Sequence, residues 1–142
     1  VLVTNGRYAG KKAVIVRAYD DGVDNRRYGH AIVAGVAKTP LRVRKAMSKK
    51  TVTKRTRVKP FLKSVNYNHI MPTRYNVDLD LKALNITPET VGNPSKRGDA
   101  RREIKKVFQE KFTAGKNKWF FSKLRFQATE WNALHKRVNR KK

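Results

Sequence analysis

The chain of 142 residues contains no cysteine, which excludes disulfides, zinc–thiolate sites and thiol nucleophiles. It has no run of the roughly 18 apolar residues that a membrane span needs, no signal-peptide pattern and no lipidation motif, so no membrane insertion is expected. Histidine is sparse: His30, His69 and His135 lie far apart with no HxxxH spacing, and no metal site is expected. Acids are scarce as well. Against 35 Lys and Arg there are 10 Asp and Glu, a formal charge of +25. Such a chain repels itself when alone, and its natural counterpart is a polyanion, whose condensed counterions are released on binding. Nucleic acid is therefore the expected partner. The sequence opens on Val1-Leu2-Val3 rather than Met, so preceding residues are expected.

The cations fall in two blocks. No acid occurs between Asp24 and Asp78, and the 53 residues between them carry 14 Lys or Arg. They are densest from Arg42 through Arg44, Lys45, Lys49, Lys50, Lys54, Arg55, Arg57 and Lys59 to Lys63. The second block, Lys96 to Lys142, carries 16 cations against four acids. An isolated run of charge usually marks a solvated face or a tail. Two long blocks of one sign, interleaved with Thr, Val, Phe and Tyr, point instead to polyanion binding. Ser48 to Arg57 lacks the pattern of a core element and reads as a basic loop that orders on RNA.

Short strands separated by turns occupy the first half. Val1-Leu2-Val3, Ala13 to Val16, His30 to Val36 and Phe61 to Tyr67 are expected strands, divided by the turn signals Asn5-Gly6, Gly10-Lys11 and Asp20-Asp21-Gly22. Strands so spaced suggest a small barrel. Tyr75, Val77, Leu79 and Leu81 alternate with Asn76, Asp78 and Asp80, which predicts a half-buried strand. Thr87-Pro88 and Gly92-Asn93-Pro94 read as a linker. Ile104, Val107, Phe108 and Phe112 then recur at helical spacing, with Asn93-Pro94 as a start and Gly115 as a stop. On that helix Asp99, Glu103 and Glu110 form one flank, and Arg101, Arg102, Lys105 and Lys106 the other.

No chemistry-bearing constellation emerges. Asp78 and Asp80 share a strand face but read as an exposed polar surface. There is no Walker-type phosphate loop, nucleophile elbow or ordered Ser/His/Asp relay. No enzymatic activity and no cofactor are expected.

Residues Gly6-Arg7-Tyr8-Ala9-Gly10-Lys11-Lys12-Ala13-Val14-Ile15-Val16 resemble a KOW motif, a strand, glycine loop and strand found in SH3-like barrels. Its glycines permit tight turns and close approach of backbone to RNA. Asn66 to Tyr75 resembles the central signature of the eukaryotic-type family of large-subunit ribosomal protein number twenty-seven, and Gly115 to Phe126 resembles its C-terminal end. His30 to Val36 also fits. The resemblance spans residues 1 to 126. It implies a mixed α+β fold: an N-terminal SH3-like (KOW) β-barrel with basic extensions and a C-terminal helix. It also implies a non-enzymatic constituent of the cytosolic large (60S) subunit, in contact with ribosomal RNA and neighbouring ribosomal proteins. Its place is the cytoplasmic ribosome, with a nucleolar stage during assembly. The division expected is 1–65 for the barrel with its basic loop, 66–95 for an extension, 96–126 for the basic helix and aromatic segment, and 127–142 for an extra basic tail. The family's basic glycine-containing start is missing here, and the tail passes the family's usual end. In it Ala128, Trp131, Leu134 and Val138 form a weak helical stripe.

One cation per phosphate suffices for backbone contact. The expected RNA-binding residues are Lys11 and Lys12 beside the glycine loop; Arg42, Arg44, Lys45, Lys49, Lys50, Lys54, Arg55 and Arg57; Arg74; Lys96, Arg97, Arg101, Arg102, Lys105 and Lys106; and Lys116, Lys118 and Trp119. Trp119 is the expected stacking platform for an unpaired base, whereas Phe120 and Phe121 read as anchors. Two rival readings are a KOW-type transcription or chromatin protein on duplex DNA, and an enzyme acting on a polyanion.

Overall fold

The computed structural model describes residues 1–23, 26–79 and 81–125. Asp80, Phe126 and the tail 127–142, with its expected stripe, lie outside the described residues. The elements in chain order are β1 (Leu2–Val3), β2 (Ala13–Tyr19), β3 (His30–Lys38), α1 (Lys49–Arg55), β4 (Lys59–Asn66), β5 (Ile70–Met71), α2 (Pro88–Gly92), α3 (Pro94–Thr113) and α4 (Lys118–Phe121), with 3-10 turns at Tyr67–His69 and Lys82–Leu84. The fold is mixed α+β.

β3 is the centre. It pairs antiparallel with β2 on one side and β4 on the other, and every residue from His30 to Val36 is buried. Its side chains alternate between two cores. Ile32, Ala34 and Val36 join Val58, Leu62, Ile104, Phe108, Phe120 and Phe121; Ala31 and Val33 join Val3, Ala13, Phe61 and Val65 on the opposite face. A strand covered on both sides reads as a continuous apolar run rather than an alternation, as this one does. In the second core the Tyr8 ring stacks on Phe61, 4.0 Å between centroids and 8° from parallel.

The strands form two sheets, β2-β3-β4 and β1-β5, and no closed barrel is found among the described residues. β1 is only two residues long and pairs with β5; its one backbone bridge toward the first sheet, Leu2 to Lys12, falls just before β2. A 3-10 turn interrupts the chain between β4 and β5. The glycine loop that precedes β2 turns as expected, with Gly6 at φ +79° and Gly10 at φ +71°.

Three local expectations are corrected. The expected strand Tyr75 to Leu81 is not formed among its described residues, Tyr75 to Leu79 and Leu81. Burial does alternate, with Val77 and Leu79 half-buried against the larger core and Asp78 exposed, but the backbone has no ladder partner. Val77 and Leu79 hold the segment by packing on the larger core. Ser48 to Arg57 is not a loop: it holds α1, started by Ser48, whose side chain accepts from the Thr51 backbone N–H. None of its residues is buried, so an apolar pattern could not have announced it; the cap is the signal. The supposed linker contains α2, where Thr87 and Thr90 form a reciprocal capping box.

α3 behaves as predicted. The Asn93 side chain accepts from Ser95 N, and Pro94 occupies the first turn, where its missing N–H is no loss. Ala100, Ile104 and Phe108 are buried. At the other end Gly115 takes φ +70°, its N–H donates to Phe112 O, and Lys116 N–H donates to Lys111 O; this paired arrangement terminates helices at a left-handed glycine. Gly98, inside the helix, costs about 1 kcal/mol relative to alanine.

Phe61 is 1% exposed and lies between β3 and Tyr8. Truncation to alanine removes a buried ring and leaves a cavity, a loss of about 3–5 kcal/mol. Urea unfolding of Phe61→Ala should show that loss; a change below about 1 kcal/mol would mean that the second core is not packed as described.

Candidate nucleic-acid interface

The cations predicted from sequence separate into those brought together, those left projecting, and one turned inward. Helical spacing puts Arg101, Arg102 and Lys105 on the face of α3 that also carries Gly98, and the entry to β4 lays Arg57 and Lys59 opposite them. The two walls enclose a groove of about 370 Å³, with Val58 and Pro60 also lining it. Residues from both sequence blocks thus converge on one trough. Arg102 is held by Asp99 at 2.6 Å. Arg57, Lys59, Arg101 and Lys105 have no acid partner among the described residues, where the only other ion pairs are Lys96–Glu89 and Lys111–Asp78.

Arg97 turns to the other flank of α3, into a larger cavity of about 740 Å³ shared with Arg26, Lys63 and His30. The Arg97 guanidinium donates to Val91 O at 3.1 Å. Arg26 was not singled out in the sequence, and Lys63 entered only as the end of the dense tract; the fold brings the two to one cavity. His30 is buried, with Nδ1 2.9 Å from Tyr28 O and its ring stacked on Tyr19.

Arg44, Lys45, Lys49, Lys50 and Lys54 project from α1 and the loop before it, all exposed, as is Lys106 on α3. Arg55 is half-buried: its Nε donates to Arg42 O at 3.0 Å, and its carbonyl accepts from Leu41 N at 2.8 Å, tying the loop to α1. Arg42, Lys116 and Lys118 edge an apolar hollow that holds Leu41, Val43, Phe112 and Phe121. Lys11 lies with Lys38 and Lys123 along a separate cleft. Lys96 is ion-paired to Glu89, which holds that carboxyl below its usual range through the hydrogen bond and the charge. Arg74 lies over the Tyr75 ring.

Lys12 departs from its neighbours. It is 4% exposed, and its ammonium donates to Trp119 O (2.5 Å), Ser122 O (2.9 Å) and Ser122 Oγ (2.9 Å). The same Nζ sits 4.2 Å from the Trp119 ring centre. Burial pushes the Lys12 pKa down. The charge expected at a phosphate is committed to fastening α4 onto the sheet. Trp119, the expected base platform, is half-buried, with Tyr75 stacked on it at 4.2 Å. Its ring is a clasp joining Tyr75, α4 and Lys12 at the entry to β2. Phe120 and Phe121 are buried against Phe108, as anchors.

Among the described residues no three His, Cys, Asp or Glu side chains are grouped to hold a metal, and no helix is long and apolar enough to cross a membrane. The model of the ribosomal L27e protein family matches residues 1–131. The chain belongs to that family. Among the relatives of this L27e member, the large ribosomal subunit protein eL27 of Candida albicans is 54% identical over 125 residues, 88% of this chain and 92% of that one. The protein of the same name from Caenorhabditis elegans is 52% identical over 126 residues, covering 89% and 93%. The eL27B protein of Saccharomyces cerevisiae is 50% identical over 125 residues, covering 88% and 92%.

Lys12→Met removes a charged donor and strands carbonyl oxygens at the clasp, a loss of about 1–3 kcal/mol measurable in urea. The salt dependence of RNA binding should stay unchanged, whereas Lys105→Gln should lower its slope by about one. A fall in slope for Lys12→Met would return that ammonium to the interface. Because the folded pKa of Lys12 is lowered, the unfolded chain holds more protons between that value and the ordinary 10.5. The wild type should therefore gain stability relative to Lys12→Met as pH rises through this window.

Proposed function

We propose that the chain serves the large ribosomal subunit as a non-catalytic constituent that binds and steadies folded ribosomal RNA. The observation that carries the reading is the convergence of the two cationic blocks on one groove, Arg57 and Lys59 from one and Arg101, Arg102 and Lys105 from the other. The L27e relatives carry the name of a large-subunit protein, and the family is structural rather than enzymatic. In mechanism, phosphates replace the counterions of a chain with +25 charge, and the released ions drive association. The exposed cations of α1 and its loop add sequence-independent contacts beside the groove. The resemblance of residues 6–16 to a KOW motif supports reading the two sheets as an SH3-like unit. The apolar hollow at Leu41 and Val43, both 39% exposed, suits a neighbouring ribosomal protein. The cytoplasmic ribosome is the working location, with assembly in the nucleolus.

The test combines sedimentation and titration. Replacing Arg57, Lys59, Arg101 and Lys105 together by Gln should leave the fold intact, since all four are exposed. It should reduce the salt slope of RNA binding by about one for each phosphate no longer neutralised and shift the tagged protein from large subunits toward the top of a high-salt gradient. Retention equal to wild type would reject the groove as the RNA seat. Equal competition by duplex DNA at fixed salt would favour a general nucleic-acid binder instead.

A further inference from the structure

We infer that Gly98 marks where the phosphodiester backbone of an RNA strand comes closest to the protein. The proposal rests on the RNA-binding reading and locates its tightest point. α3 runs 20 residues, Pro94–Thr113, and glycine is the poorest helix former after proline. A glycine inside such a helix calls for a local reason, and the protein supplies none. Gly98 is not among the glycines with positive φ, so its backbone suits any residue. A Cβ added there meets no atom of another element within 4 Å, so no internal packing demands its absence.

Its surroundings point outward. Gly98 lines the groove together with Arg101, Arg102 and Lys105 on its own helix face and Arg57 and Lys59 on the facing wall. A missing side chain among five cations deepens the trough where negative charge is most attracted. Bare backbone there lets phosphate and sugar oxygens approach to contact distance, as glycine does wherever a ligand must meet the main chain. Five cations exceed what one phosphate requires, so a strand carrying successive phosphates fits better than a lone anion.

The experiment uses the full chain, with Gly98→Ala and Gly98→Leu, and deproteinised large-subunit RNA as the probe. Both variants add better helix formers into open space, so both should melt a few degrees higher than wild type. Both should bind RNA more weakly, Gly98→Leu by roughly tenfold or more and Gly98→Ala by less, a factor of ten being about 1.4 kcal/mol. The salt slope should hold, because no cation has been removed. Unchanged affinity for Gly98→Leu overturns the proposal while leaving RNA binding intact. Lower melting temperatures overturn it too, by showing that the glycine serves the fold. Absence of salt-dependent binding by the wild type would overturn the RNA reading itself, and this proposal with it.

Discussion

A strand with seven consecutive buried residues, His30 to Val36, has to be covered twice. β3 presents alternate side chains to two cores, so neither sheet nor helix alone can complete it. On one face the cover is β1, β5 and the Tyr8–Phe61 stack; on the other it is α3 and the Phe120–Phe121 pair. The need for the second cover places α3 over the sheet, and it is this docking that brings the α3 cations against Arg57 and Lys59. The proposed RNA-binding surface is in that sense a by-product of burying β3. Removing α3 to test its role in binding would therefore unmake the core, and charge substitutions at its rim are the cleaner probe.

Charge works in two registers. Most cations stay in water with their counterions, which leaves the free protein under strong self-repulsion. Lys12 does the opposite. Its ammonium is buried on two carbonyls, a hydroxyl and an indole, where hydrogen bonds and the ring replace the missing hydration. The clasp extends through Trp119 to Tyr75, so a segment with no strand partner is still fixed in place. Aromatic and cationic side chains thus hold the extension where backbone pairing does not.

Much of this was legible in the sequence. The apolar run of β3, the Asn93-Pro94 start, the Gly115 stop and the stripe through Ile104 and Phe108 are local patterns, and each sits where its pattern put it. The family resemblance was readable too, because its signatures are contiguous. The charge blocks suggested a polyanion, a reading that stays a proposal, but not which cations converge: the groove joins residues more than forty positions apart, and no periodicity relates them. Lys12 beside Lys11 looked like a pair of equals, and only the packing of α4 separates a buried ammonium from a half-exposed one. Tyr75 to Leu81 shows the limit of alternation as a signal. Period two reports which side chains are covered, not whether the backbone finds a partner. α1 escaped notice because it buries nothing, and the one-residue cap that starts it is a fainter mark than an apolar stripe.

The order of the chain gives the double cover of β3 a further meaning. β2, β3 and β4 are complete by Asn66, but the residues that shield their second face, Ile104, Phe108, Phe120 and Phe121, come about forty to sixty positions later. During synthesis, which proceeds from the N-terminus at about 5–20 residues per second, the sheet emerges with Ile32, Val58 and Leu62 open to water for several seconds. A nascent chain at that stage is a sticky, highly basic half-domain in a cell full of RNA, and the arrival of α3 and the Phe120–Phe121 pair is what ends that exposure.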